Sequence, residues 1–250
     1  MSESRIPESH WRHVLHVCVI FGLCTAMTSA IASEQAARSK LAIDINVYPY
    51  LDEVQEDTDL TLIFNAPLPG RFSYFSYINA RGLFTGSDFT LTRSEQSLRW
   101  ATSEKLPIDL AVQAILVEGN GFDVWQLGIS WRANDTLALK TFFERLHLIY
   151  RLTFYVKRYS SASDDGWQME HFFLMKFPGI SDRLYLSGFL DQTFGLDLPD
   201  TLPSNPIVTE IQLGARMFNR FYAVAEYRRN EFRVSRENNL AVGVEYKFRW

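Results

Sequence analysis

The amino-acid sequence predicts an all-β protein, a closed antiparallel transmembrane β-barrel of about twelve strands with one short periplasmic amphipathic helix. Three observations predict it. Almost everything after Ser33 alternates apolar and polar residues with a period of two, in segments of about ten residues. The connections between segments sort by parity, short ones alternating with long ones. The last segment is an alternating aromatic run closed by Trp250.

The mean hydropathy of −0.10 is too low for helical spans, each of which needs about 20 mostly apolar residues. A net charge of −4 with no Lys/Arg-rich block excludes a nucleic-acid partner. At the N-terminus, Arg5, Arg12 and His13 precede an apolar stretch over 14–27. Ala30-Ile31-Ala32 then offers small residues for cleavage before Ser33. The expected organisation is a signal peptide over 1–32 and a barrel over 33–250. The alternative, a single membrane anchor, is opposed by the short stretch, by His16 within it and by the missing basic cluster after it. Cys18 and Cys24 both lie inside this segment, so cleavage leaves a thiol-free chain, in keeping with an oxidising periplasm. Gly22-Leu23 before Cys24 does not fit a lipidation site.

The segments follow in order. Leu41, Ile43, Ile45 and Val47 alternate with Ala42, Asp44, Asn46 and Tyr48; Leu60, Leu62 and Phe64 form the next apolar row. The third, 72–80, is aromatic on both faces, leaving its inside and outside open. Gln96, Leu98 and Trp100 oppose Glu95, Ser97 and Arg99. Ile108, Leu110, Val112, Ala114 and Leu116 oppose Asp109, Ala111 and Gln113. Trp125, Leu127, Ile129 and Trp131 oppose Gln126, Gly128 and Ser130. Leu148, Tyr150, Leu152, Phe154 and Val156 oppose Arg151, Thr153, Tyr155 and Lys157. The eighth row runs from Trp167 through His171 to Phe177, opposite Gln168, Glu170 and Lys176. Leu184, Leu186, Gly188 and Leu190 come next, then Thr209, Ile211, Leu213 and Ala215 against Glu210, Gln212, Gly214 and Arg216. Phe221, Ala223, Ala225 and Tyr227 face away from Glu226 and Arg228. The last row, Leu240 to Trp250, opposes Ala241, Gly243, Glu245, Lys247 and Arg249.

With the N-terminus in the periplasm, the periplasmic connections are 67–70, 103–106, 132–145, 178–182 and 218–220, and four of these five are tight. The outer connections include 51–59, 81–93, 158–166, 193–206 and 229–238, longer and mostly polar. A β-sandwich has no reason to sort its loops in this way. Twelve strands return the C-terminus to the periplasm, with ten as the alternative count. The one long periplasmic connection carries Leu139, Phe142, Phe143 and Leu146 at helical spacing. Asn134 or Asp135 is available as a cap, which predicts an interfacial helix over 134–146.

In hydrocarbon every backbone N–H and C=O must be paired within the protein, so the sheet must close and its outward row must be apolar. Arg or Lys at the bilayer midplane would cost about 2–4 kcal/mol facing lipid, so the charged rows face the lumen. The lumen candidates for contacting a solute are Asp44, Glu95, Arg99, Gln113, Arg151, Tyr155, Glu170, Glu210, Arg216 and Glu245; Asp109, Lys157, Glu226 and Lys247 share that face. They either line a solute path or form a salt-bridged plug. His171 falls in the lipid-facing row and reads as a neutral side chain beside a neighbouring strand's polar atom.

In size, strand count, loop parity and the closing Gly243-Val244-Glu245-Tyr246-Lys247-Phe248-Arg249-Trp250, the 218 residues after cleavage (250 minus 32) resemble the Tsx-like nucleoside-specific channel-forming outer-membrane family. The resemblance implies a passive, substrate-selective channel whose lumen stacks bases on aromatics and binds sugars through charged side chains. It implies no cofactor. The second reading is a non-conducting structural barrel acting through its loops, where Asp52, Glu53, Glu56, Asp57 and Asp59 form one acidic patch and Asp164 and Asp165 another. An enzyme is not expected. After Ser33 the histidines are His147 and His171, neither beside an outward serine on its strand, and Ser160, Ser161 and Ser163 fall in a loop. No cluster has metal-ligand spacing. The expected partners are outer-membrane lipid and lipopolysaccharide, the barrel-assembly machinery through 240–250, and a small-molecule solute.

Overall fold

The computed structural model describes residues 41–51, 57–83, 90–117, 123–160, 166–233 and 237–250. The signal-peptide segment 1–32, the acidic residues Asp52, Glu53, Glu56, Asp164 and Asp165, and loop residues Ser161 and Ser163 lie outside them.

The strands are β1 (Ala42–Pro49), β2 (Asp57–Leu68), β3 (Phe72–Leu83), β4 (Thr90–Ala101), β5 (Ile108–Val117), β6 (Val124–Arg132), β7 (Leu148–Ser160), β8 (Trp167–Phe177), β9 (Ser181–Phe194), β10 (Ile207–Phe218), β11 (Phe221–Asn230) and β12 (Asn238–Arg249). They form one closed antiparallel barrel in which each strand pairs with its sequence neighbours and β1 pairs with β12. Register at the closing seam runs from Ala42 opposite Arg249 to Val47 opposite Val244. Trp250 N–H donates to Leu41 O at 3.1 Å beyond it. Twelve strands and closure are as the alternation predicts, and no described helix is long and apolar enough to cross a membrane.

The outer surface is an apolar belt. Leu110, Val112, Leu127, Ile129, Leu213, Val242 and Val244 are exposed there. Aromatic pairs border it. Phe248 stacks on Trp250 and Phe218 on Phe221 at the end carrying the termini and tight turns. Trp167 stacks on Phe194, with centroids 3.9 Å apart, at the opposite, loop end. That order, aromatic then aliphatic then aromatic, matches the profile of a bilayer. His171 lies on this surface with Nδ1 2.7 Å from the Tyr150 hydroxyl, so its polarity is met by a neighbouring strand.

The short turns have local causes. Between β2 and β3, Gly70 takes φ +71°, which a Cβ would strain, and the chain reverses through Pro69–Arg71. Between β10 and β11, Asn219 takes φ +45°, a conformation its short amide tolerates. The long terminal-end connection departs from expectation. Its helix α1 covers Lys140–Arg145 only, and neither Asn134 nor Asp135 caps it. Both belong to a 3-10 turn, Ala133–Asp135, because the Asn134 amide is drawn to β7 instead, where its Oδ1 accepts from Tyr150 N–H at 2.7 Å. Phe143 still packs inward, stacked on Tyr150, while Phe142 is exposed.

Two register shifts matter for the interior. One, between Leu127 and Gly128, sets Lys157 opposite Leu127 of the lipid-facing row. Its ammonium lies 5.3 Å from the Tyr159 ring, so Lys157 leaves the lumen set predicted for it. The other, between Asn79 and Ala80, turns Thr92 Oγ1 toward Asn79. Asp59, expected in an acidic loop, instead sits in β2 with its side chain fully buried in the lumen. Its parity with Thr61, opposite Leu60 and Leu62, puts it there.

A Cβ at Gly214 would lie 2.0 Å from the Tyr185 ring, so the glycine makes room for a tyrosine folded flat against the lumen wall. Gly214→Val is expected to lower the unfolding free energy by about 1–3 kcal/mol. Gly179→Ala, where nothing lies within 4 Å, should leave it unchanged. Denaturant titration of the refolded protein, scored by heat-modifiable gel migration, measures both.

Candidate functional site

Inside the barrel, alternation places one face of every strand in the lumen, and strand tilt turns each hydrogen-bonded row of side chains into a rising spiral. Midway along, these rows close into a polar girdle. Asn46, Ser97, Gln126, Ser130, Thr153 and Tyr155 are fully buried there, although each faces the barrel interior.

The girdle is held by bonds that cross the lumen. Arg99 of β4 reaches Glu170 of β8 at 3.2 Å, and Glu170 also accepts from Thr153 at 3.2 Å. Gln113 donates to Ser97 at 3.1 Å and toward Glu95 and Glu170, and it accepts from Gln126. Opposite this cluster, the Tyr48 hydroxyl donates to Gln212, Gln212 to Tyr185 and Tyr185 to Glu245, linking β1, β10, β9 and β12. Lys247 lies 3.0 Å from Glu245 and 3.8 Å from the Tyr185 ring centroid.

Toward the loop end, Arg228 is the hub. It sits 2.9 Å from Asp59, 2.7 Å from Glu210 and 3.6 Å from Glu226, and Asp59 also holds Arg81 at 2.6 Å. Tyr50 donates to Glu226 at 3.0 Å while Arg81 and Arg228 both lie over its ring, at 5.7 and 5.3 Å. Above the hub opens a cavity of about 180 Å³, lined by Arg81, Arg93, Arg228 and Arg233 together with Glu95 and Glu210. Burial, then the nearby Arg81 and Arg228 charges, hold the Arg233 guanidinium below its ordinary pKa. Four guanidinium groups and two carboxylates line it, and Asp59 and Glu226, bonded to Arg81 and Arg228, bring the carboxylates around it to four.

All ten residues singled out in the sequence face the lumen, but at three different heights. Glu95, Arg99, Gln113, Tyr155, Glu170 and Glu245 belong to the girdle, and Glu210 to the hub. Asp44 and Arg216 lie near the terminal mouth, bound to Arg249 and, at 2.8 Å, to Asp182. Arg151, also toward that mouth, has no ion-pair or hydrogen-bond partner among the described residues. Sequence reasoning missed Asp59 and Arg81, and set Arg228 on the polar face of its strand without counting it among the solute contacts. It also missed Phe172 and Phe189, which pair across β8 and β9 on the lumen face. Parity with Glu170 would have placed Phe172 inside. Its apolar character concealed it, because β8 is apolar on both faces at that point.

One row is partly exposed along most of its length. Arg132, Arg151, Phe172, Phe189, Glu210 and Arg228 are successive cross-strand partners from β6 to β11. Arg132 is the last residue of β6 at the terminal end, and Arg228 lies near the loop end of β11. The first five are half-buried, unlike the girdle residues beside them. The partly exposed row forms a ramp from the terminal mouth to Phe189 and Glu210, which line the loop-end cavity.

No family model and no curated protein sequence matches this chain. Among solved structures, the barrel is similar to KdgM porin, with a TM-score of 0.50 and 14% identity over 83% of this chain and 99% of that one. It also aligns with KdgM porin in complex with disordered oligogalacturonate (TM-score 0.48, 14% identity, 83% and 99% covered). A triple mutant of the Rhodopseudomonas blastica porin aligns with a TM-score of 0.37 at 7% identity, covering 84% of this chain and 99% of the porin. The first likeness is one of fold, a porin barrel.

Removing one partner of the Arg99–Glu170 pair leaves the other buried and uncompensated. Glu170→Ala is expected to cost about 3–5 kcal/mol of stability, and the paired change Arg99→Met with Glu170→Leu to recover most of it. Equilibrium unfolding of the three variants checks the cross-lumen bond.

Proposed function

We propose that the chain is an outer-membrane channel for passive diffusion of small polar solutes, exported by its N-terminal segment and seated in outer-membrane lipid and lipopolysaccharide. The observation that carries this reading is the half-buried ramp from Arg132 to Glu210, which skirts the closed girdle from the terminal mouth to the loop-end cavity. The interior chemistry agrees. A barrel packed only for stability would fill its core more cheaply with apolar side chains than with paired arginines and carboxylates.

The ramp is narrow and its walls are side chains, so the channel conducts weakly and is tuned by single residues. Phe172 and Phe189 offer ring faces on which a flat solute stacks, which favours the nucleoside-channel resemblance. In planar bilayers the refolded protein is expected to open small pores. Phe172→Ala should raise unitary conductance about twofold or more, because the ring sits in the constricted path. Adenosine should slow the current if nucleosides travel this path. Silent bilayers from well-folded protein would overturn the channel and favour the structural, loop-acting barrel.

A further inference from the structure

Most lumen cations are matched. Arg99 has Glu170, Arg132 has Asp109 at 3.1 Å and Asp135 at 2.6 Å, Arg249 has Asp44, and Arg228 has Asp59 and Glu210. Arg151 is not. Its Nε is buried without a hydrogen-bond partner, and the charges around it are Arg99, Arg132, Asp109 and Glu170. Both of those carboxylates are already engaged by the other two arginines. Of these three arginines, Arg151 is the one without an ion pair among the described residues.

The immediate surroundings of Arg151 are apolar. Its partner on β8 is Phe172, and the next pair toward the terminal mouth is Ile149 with Leu174. All three share the lumen face of Arg151, since Glu170 on the same side of β8 bonds to Arg99 across the barrel. Ile149 is 52% exposed, and Phe172 and Leu174 are partly so. Directly paired side chains have Cβ atoms about 4.5–5.5 Å apart, so the guanidinium stands at the edge of a continuous apolar wall.

We infer that Arg151, Phe172, Leu174 and Ile149 form a binding site, open to the terminal-end mouth, for a small carboxylate that carries a flat apolar group. The carboxylate takes the two-pronged contact of the unpaired guanidinium, and the apolar group lies on Phe172 with Leu174 and Ile149 beneath it. This rests on the lumen being wet and reachable, as the channel reading requires, and it names the solute class for one end of the ramp. A carboxylate alone would leave the apolar wall in water. An uncharged ring would leave Arg151 unmatched. Only both groups in one molecule satisfy the site.

The probe is 3-phenylpropionate, titrated calorimetrically into detergent-refolded protein, with acetate, 3-phenylpropanol and adenosine as comparators. Binding of 3-phenylpropionate should exceed that of each comparator by about tenfold or more, since each lacks one of the two recognised features. Arg151→Gln should abolish that preference, Arg151→Lys should keep part of it, and Leu174→Ser should weaken it while sparing acetate. Arg151 holds no partner, so its replacement leaves the barrel intact, which heat-modifiable migration verifies. Equal binding of acetate, stronger binding of adenosine, or an unchanged Arg151→Gln would each overturn the site. Because the readout is binding, silent bilayers together with selective binding would remove the channel and keep the site. Conductance without selective binding would do the reverse.

Discussion

The constraint on which the whole molecule depends is that no backbone amide may face hydrocarbon unpaired. A sheet meets it only by joining its first strand to its last, here β1 to β12. Closure fixes a strand's two faces to two solvents, lipid outside and water inside. Every side chain is then sorted by one bit of parity. The aliphatic belt, its aromatic borders and the charged interior are consequences of that sorting, repeated around the barrel.

Tilt is the second consequence. Strands in a closed barrel lean by about 35–45°, so side chains that are neighbours in the hydrogen-bonding direction climb as they go round. The row Asp109, Ser130, Thr153, Glu170 and Asp191 climbs as a sealed polar band. Two residues nearer the terminal end on β6, β7 and β8, the row through Arg151 and Phe172 climbs partly open. Adjacent spirals of one wall thus differ in chemistry, and a solute path needs no hole down the axis.

Much of this was legible in the sequence because parity is a local property. Leu240 to Trp250 announces its outward row without reference to any other strand, and the same holds for Ile108 to Leu116. What escaped was non-local. Lys157 changes face because of a register shift against Gly128, which nothing in its own strand declares. Asp59 looked like a loop residue because β2 begins three positions earlier than its apolar row. The helix shrank because Asn134 found a better partner in the backbone of β7 than at a helix end. The heights of Glu95, Glu170 and Glu210, and hence which of them bond across the lumen, depend on shear, which is a sum over all strands.

The seam between Ala42 and Arg249 has a kinetic side as well. These partners stand at opposite ends of the described chain, so the contact that removes the last two open edges carries the largest loop-closure entropy in the molecule. Each nearest-neighbour hairpin can form early and locally, yet any arrangement short of all twelve strands exposes two unpaired edges. Assembly is therefore close to all-or-none, with the rate set by when the final strand meets the first. An aromatic, strongly patterned β12 is where the chain most needs a segment that is hard to misregister.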